Sequence, residues 1–216
     1  MARRDAQRNR QKLVDAGREL FAERGADASL EEVARRAGVG IGTLYRHFPT
    51  REALVEVILE EHIGRILIAA EEAAASEDAW AGMVGFLEQV LDLQRKNLPL
   101  RHVFHRHAVG ESPIAQEQRA QIAAALERLV ERAREQGAVR PDFALSDLLF
   151  AMWSFIPLFE ATGEVAPNAW RRYLQIVLDG MRPAGATPQR VRPLSARQLA
   201  AAFEALRGRY QRRRVA

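Results

Sequence analysis

The sequence predicts an all-α protein. Ala, Leu, Glu and Arg dominate it, two-residue alternation of β-branched side chains is nearly absent, and apolar residues recur at helical spacing between Gly and Pro punctuation. At 216 residues the chain can bury a sizeable core without covalent staples. It has no Cys, which excludes disulfides, thiolate metal sites and cysteine-based catalysis. Hydrophobic residues make up 48% and charged residues 28%, the balance of a folded globular chain. No apolar run approaches about eighteen residues, so no membrane span is predicted. The opening ten residues have no apolar stretch ahead of Leu13 and do not read as a secretory signal, so the expected location is the cytoplasm.

Taken in order, the first helix spans about residues 6–24, with Leu13, Ala16, Leu20 and Phe21 on one stripe and Gly25 as its stop. Ser29-Leu30-Glu31-Glu32 is a capping box that opens a short second helix. Its apolar face is Leu30, Val33, Ala34 and Ala37, and Gly38 ends it. A third short helix covers about 40–47. Pro49 blocks its continuation, and Thr50 caps a long fourth helix reaching about Ala75. Later helices are predicted near 77–96, 99–108, 112–136, 144–161 and 167–181, with a kink at Pro157. Arg182–Pro193 holds three Pro and one Gly and reads as a linker. Ser195-Ala196-Arg197-Gln198 then opens a last helix with Leu199, Ala202, Phe203, Leu206 and Tyr210 on one side. The expected domains are therefore 1–50, 51–181 and a tail at 182–216.

Charge follows the same division. Residues 1–50 carry net +3, residues 51–181 net −7 and residues 182–216 net +8, for +4 in all. Basic ends suit a polyanion, while an acidic body stays off it.

The chemistry concentrates in SLEEVARRAGVGIGTLYRHFPTREAL, residues 29–54. Two short helices meet at Gly38-Val39-Gly40, anchored by Val33 and Ala34 on one side and by Ile41 or Leu44, with Phe48, on the other. That is the grammar of a helix-turn-helix, whose second helix enters the major groove of duplex DNA. Gly40 and Gly42 leave the backbone free to approach phosphate or base edge. Tyr45 and His47 offer polar tips for phosphate oxygens, and Thr43 suits a phosphate or a thymine methyl. Ile41 stands beside them at the start of the helix. Arg46 and Arg51 add marginal charge, and Ser29 and Thr50 sit at helix N-termini, which favour anions. The glycines do not form a dinucleotide-binding or P-loop motif, because no strand precedes them and no Lys-Ser/Thr pair follows.

The segment resembles the DNA-binding region of the tetracycline-repressor (TetR) family of bacterial regulators. The resemblance rests on Val33-Ala34-Arg35-Arg36-Ala37-Gly38-Val39, on Gly42-Thr43-Leu44-Tyr45-Arg46-His47-Phe48, and on Arg51 and Leu54. It extends through Ala16–Gly25 and covers about residues 8–60. Gly40 stands where the family usually has Ser, and Arg51 where Lys is commoner. The resemblance implies a three-helix DNA-binding head followed by a helical body that binds a small-molecule effector and dimerises. It implies a transcriptional regulator, read as a repressor that an effector releases from a double-stranded operator, with no enzymatic activity, cofactor or metal.

Within the body, candidate effector contacts are Trp80, Met83, Phe86, Leu87 and Val90, then Phe104, Met152, Trp153, Phe155 and Phe159. The candidate homodimer surface is Leu148, Leu149 and Ile156 with Trp170, Leu174, Val177 and Leu178, because these helices hold more apolar residues than one bundle face needs. His102, His105 and His107 form a local cluster without an evident further ligand, and read as a polar helix face. Glu60-Glu61 and Glu71-Glu72 read as solvated faces. The basic tail suits either docking on an acidic body or loose attraction to phosphate. Two other classes stay open from sequence: an enzyme whose catalytic groups converge from distant positions, and a DNA-coating protein. The acidic 51–181 region speaks against the second.

Overall fold

Ser29 does what its spacing predicts. Its hydroxyl accepts from the Glu32 amide at 3.2 Å, and its own amide donates to the Glu32 carboxylate at 3.1 Å. This computed structural model describes residues 2–25, 28–97, 112–184, 186–202 and 205, and every regular element among them is helical. The helices are α1 (Ala2–Arg24), α2 (Leu30–Ala37), α3 (Ile41–His47), α4 (Arg51–Ala75), α5 (Ala79–Lys96), α6 (Pro113–Glu135), α7 (Leu145–Thr162) and α8 (Ala169–Met181). Residues 196–202 are also helical, opened by Ser195, whose amide donates to Gln198 Oε1 at 3.0 Å. The helix predicted at 99–108, with Phe104, His102, His105 and His107, lies outside the described residues.

The chain divides into two compact units, Met1–Arg65 with Asn97–Gln118, and Ile66–Lys96 with Arg119–Ala216. The division falls inside α4, one continuous helix that contributes to both units. The described residues from 182 onward belong to the second unit.

In the first unit, Leu13, Val14, Leu20 and Phe21 of α1 pack with Val33, Ala34, Leu44, Phe48, Leu54 and Ile58. α1 and α4 approach closely: a Cβ on Gly17 would lie 3.0 Å from Ile58 Cδ1. Around this core, Arg36 makes a forked pair with Glu23 at 2.7 and 2.8 Å, and Arg18 donates to Glu61 at 2.9 Å. Ser112, ahead of α6, donates to Glu60 at 2.7 Å. Glu60 and Glu61 are thus bound side chains, not the freely solvated pair expected from sequence. Helical phase explains this: neighbouring residues point about 100° apart and meet different elements.

In the second unit, α5 buries Met83, Phe86, Leu87, Val90 and Leu91. α7 buries Leu148, Met152, Phe155, Ile156 and Phe159, and α8 buries Trp170, Leu174, Leu178 and Met181. Phe159 and Trp170 meet edge-on with ring centres 6.3 Å apart. α4 and α5 touch at Gly82, where a Cβ would stand 2.6 Å from the Ala73 carbonyl oxygen. Glu71 pairs with Arg128 of α6 at 2.8 Å. Although no such segment was expected, α7 is long and apolar enough to cross a membrane by length and composition. Its buried face nevertheless packs within the unit. Pro157 lies inside α7, which continues to Thr162.

Candidate nucleic-acid interface

The local chain signals that build α2 and α3 also set the face they present. Gly38 takes φ 65°, the left-handed conformation that glycine adopts without steric cost, and ends α2. Its amide and that of Val39 return to carbonyls of α2, so the turn to α3 is closed by backbone bonds. Leu44 and Phe48 point inward and are 0% and 2% exposed. That phase leaves Ile41, Gly42, Tyr45 and Arg46 on the outer side, with Ile41 41% and Tyr45 45% exposed. Thr43 and His47 are half-buried at its edges.

The glycines carry a specific message. Gly40 has φ −63°, an ordinary value, and a Cβ built at Gly40 or Gly42 would meet nothing within 4 Å. Neither backbone conformation nor intrachain packing demands glycine at these positions, so the space they leave open lies outside the protomer.

The acids nearby are engaged. The Ser29 amide, with Arg24, holds the Glu32 carboxyl below its usual range, and Arg36 does the same for Glu23. Thr50 Oγ1 accepts from the Ala53 amide at 3.2 Å, capping α4 as expected. Arg51 is placed differently from its sequence reading as marginal charge. Its guanidinium lies 4.8 Å from the Phe21 ring centre and donates to the Ala28 carbonyl at 2.6 Å. It braces α4 against α1 and the segment before α2, a role that only the folded arrangement reveals.

A family model described as bacterial regulatory proteins of the tetR family matches residues 13–58, and a second, for an SbtR-like transcriptional regulator C-terminal domain, matches 77–183. The TetR transcriptional regulator of Streptomyces coelicolor is 30% identical, with 82% of this chain and 99% of that one covered at a TM-score of 0.60. The chain belongs to the TetR family. A TetR regulator of Mycobacterium vanbaalenii is 28% identical over 84% of this chain and 99% of that one, with a TM-score of 0.61. An HTH-type transcriptional regulator of Staphylococcus aureus strain MRSA252 is 32% identical over 118 residues, 52% of this chain. This chain spans 61% of that protein's length, and 34% of an HTH-type transcriptional regulator of Staphylococcus aureus strain USA300 to which it is 36% identical over 62 residues. The TetR-family protein is a DNA-binding transcriptional regulator and not an enzyme.

In this TetR-family chain the body residues singled out from sequence separate by helical phase. Met83, Phe86, Leu87, Val90, Met152, Phe155 and Phe159 are all buried, so they are core side chains of the second unit. Trp80 is half-buried beneath Arg182, whose guanidinium carbon is 3.8 Å from the ring centre. A groove of about 240 Å³ between α4 and α5 includes Phe86, and is smaller than the roughly 300–1,000 Å³ of typical ligand pockets.

The expected dimer surface divides the same way. Leu148, Ile156, Trp170, Leu174 and Leu178 are buried in the protomer's own core, while Leu149 and Val177 are half-exposed. The exposed apolar side instead carries Phe150 at 36%, Tyr173 at 47% and Ile176 at 56%, with Trp153 half-exposed. The sequence held the signal. Leu174 and Leu178 recur at four-residue spacing with Trp170, whereas Ile176 falls on the opposite side and Tyr173 and Val177 flank the stripe.

Proposed function

We propose that this regulator is a homodimeric repressor that a small-molecule effector releases from its operator in the cytoplasm. The observation that carries the reading is the second apolar side of α7 and α8. Phe150, Tyr173 and Ile176 stand exposed on helices whose first apolar side already fills the core. A second copy of the chain would cover them across a twofold axis. The seven-residue α3 reads few base pairs alone, so two copies on successive half-sites supply the remaining recognition.

On DNA, Ile41, Gly42, Thr43, Tyr45, Arg46 and His47 face the groove, with Gly40, Ser29 and Thr50 at its margins. The effector acts by binding one spacing of the two heads better than the other, since equal binding would shift nothing. Buried Ser146 Oγ and Trp170 Nε1 have no hydrogen-bond partner among the described residues, and are groups that a polar effector atom would satisfy. A TetR-like regulator of Mycobacterium smegmatis, 21% identical and alike in fold, is described in complex with proflavine. That precedent supports a ligand-binding body.

All three Trp residues (Trp80, Trp153 and Trp170) lie in the second unit, which makes intrinsic fluorescence a reporter of body binding. A compound screen should yield molecules that change this fluorescence and, at the same concentrations, release a duplex selected by the protein from a random pool. Compounds that bind the body yet leave duplex affinity unchanged or tighter would contradict the effector-released repressor.

A further inference from the structure

The match to the family's DNA-binding model begins at residue 13, and Leu13 is the first buried residue of α1 among those described. Ahead of it the sequence places Arg3, Arg4, Arg8, Arg10 and Lys12 against one acid, Asp5. Residues 4–8 of this helical stretch are exposed, so about two turns of α1 run free of the core. Among the described residues Arg4, Arg8, Arg10 and Lys12 form no ion pair.

Such a stretch is not stabilised from within. Two uncovered helical turns are marginal alone, and cations near a helix N-terminus oppose the helix dipole. A polyanion would offset both costs. Position selects which one. The Arg10 guanidinium carbon lies 5.3 Å from the ring centre of Phe48, the residue that ends α3. The free turns therefore depart beside Phe48, the chain neighbour of His47, at the edge of the proposed DNA-reading face. At about 1.5 Å per residue, Arg4 lies about 9 Å along the helix from Arg10, within about one Debye length at 0.1 M salt. Arg4 and Arg8 share one side of the helix, four residues apart.

We propose that Arg4 and Arg8 hold phosphates of the duplex flanking the bases read by α3, making the amino-terminal turns of α1 a second DNA-contacting element. The assignment rests on α3 being the reading helix. It adds affinity without base preference, because phosphate contacts position a protein and carry no sequence code.

The test is a salt titration with the full-length protein, its Arg4→Ala/Arg8→Ala variant and its Arg4→Lys/Arg8→Lys variant, on a duplex selected by the wild type from a random pool. The slope of log affinity against log salt should fall in magnitude by about 3.6 in the Ala variant, two phosphate contacts on each of two heads at about 0.9 each. The affinity lost between 50 and 200 mM salt should shrink correspondingly, by about a hundredfold. Lys should restore the slope, and the selected base sequence should stay the same. A wild-type slope in the Ala variant overturns the proposal, as does an equal loss in the Lys variant, which would make the role structural. Failure of α3 as the reading helix is separately visible: Tyr45→Ala would then leave the wild-type protein's base preference and affinity unchanged.

Discussion

Ile176→Glu is expected to convert the protein to a monomer and to weaken operator binding by about 10²- to 10⁴-fold, the advantage that two linked binding sites hold over one. Ile176 is 56% exposed in the protomer, so the substitution removes no core contact and the fold should persist. In the proposed dimer the new carboxylate would be buried among Tyr173, Phe150 and their symmetry mates, where an unpaired charge is strongly disfavoured. Sedimentation equilibrium reads the assembly, and thermal melting reads the fold. A variant that remains dimeric would show that the outer side of α7 and α8 is not the interface.

Gly42→Leu should leave the head folded and weaken operator binding by about 1–3 kcal/mol, roughly fivefold to 150-fold, the usual cost of overpacking a fitted surface. No protein atom lies within 4 Å of where the new Cβ would stand, so the isobutyl group meets only what approaches from outside. Within the helix Leu is the better former, so melting should hold steady or rise slightly. Leu44→Ala is the instructive contrast: Leu44 is 0% exposed, and its truncation should cost about 2–5 kcal/mol of stability, with DNA binding lost through unfolding of the head. Parallel melting and duplex titration separate the two. Unchanged affinity in Gly42→Leu would place the duplex on another face.

The head was legible because its signals are local. Ser29, Glu32, Gly38 and Thr50 act through backbone groups within a few residues, and the spacing of Val33, Ala34, Leu44 and Phe48 names the buried side directly. Arg51 was not legible, because its partners Phe21 and Ala28 are brought to it only by the fold. The start of α1 lay beyond the apolar stripe used to place it, so the free turns ahead of Leu13 left no packing signal. In the body, α7 is apolar on both sides and α8 carries Tyr173 and Ile176 outside its buried stripe, so composition alone cannot say which apolar residues fill the core. Trp170 and Leu174 went inward while Tyr173 and Ile176 stayed out. The candidate pocket residues share that ambiguity, since a core position and a cavity wall draw on the same side chains.

Entry of α3 into the major groove is tested most directly by guanine N7 methylation protection on the selected duplex. Groove entry predicts protection of major-groove guanines in two symmetric patches centred about 34–36 Å, or a multiple of that, apart, with both patches moved to correspondingly higher protein concentration in Gly42→Leu. Unprotected N7 positions in a stable wild-type complex, or a single patch without a symmetric mate, would contradict it.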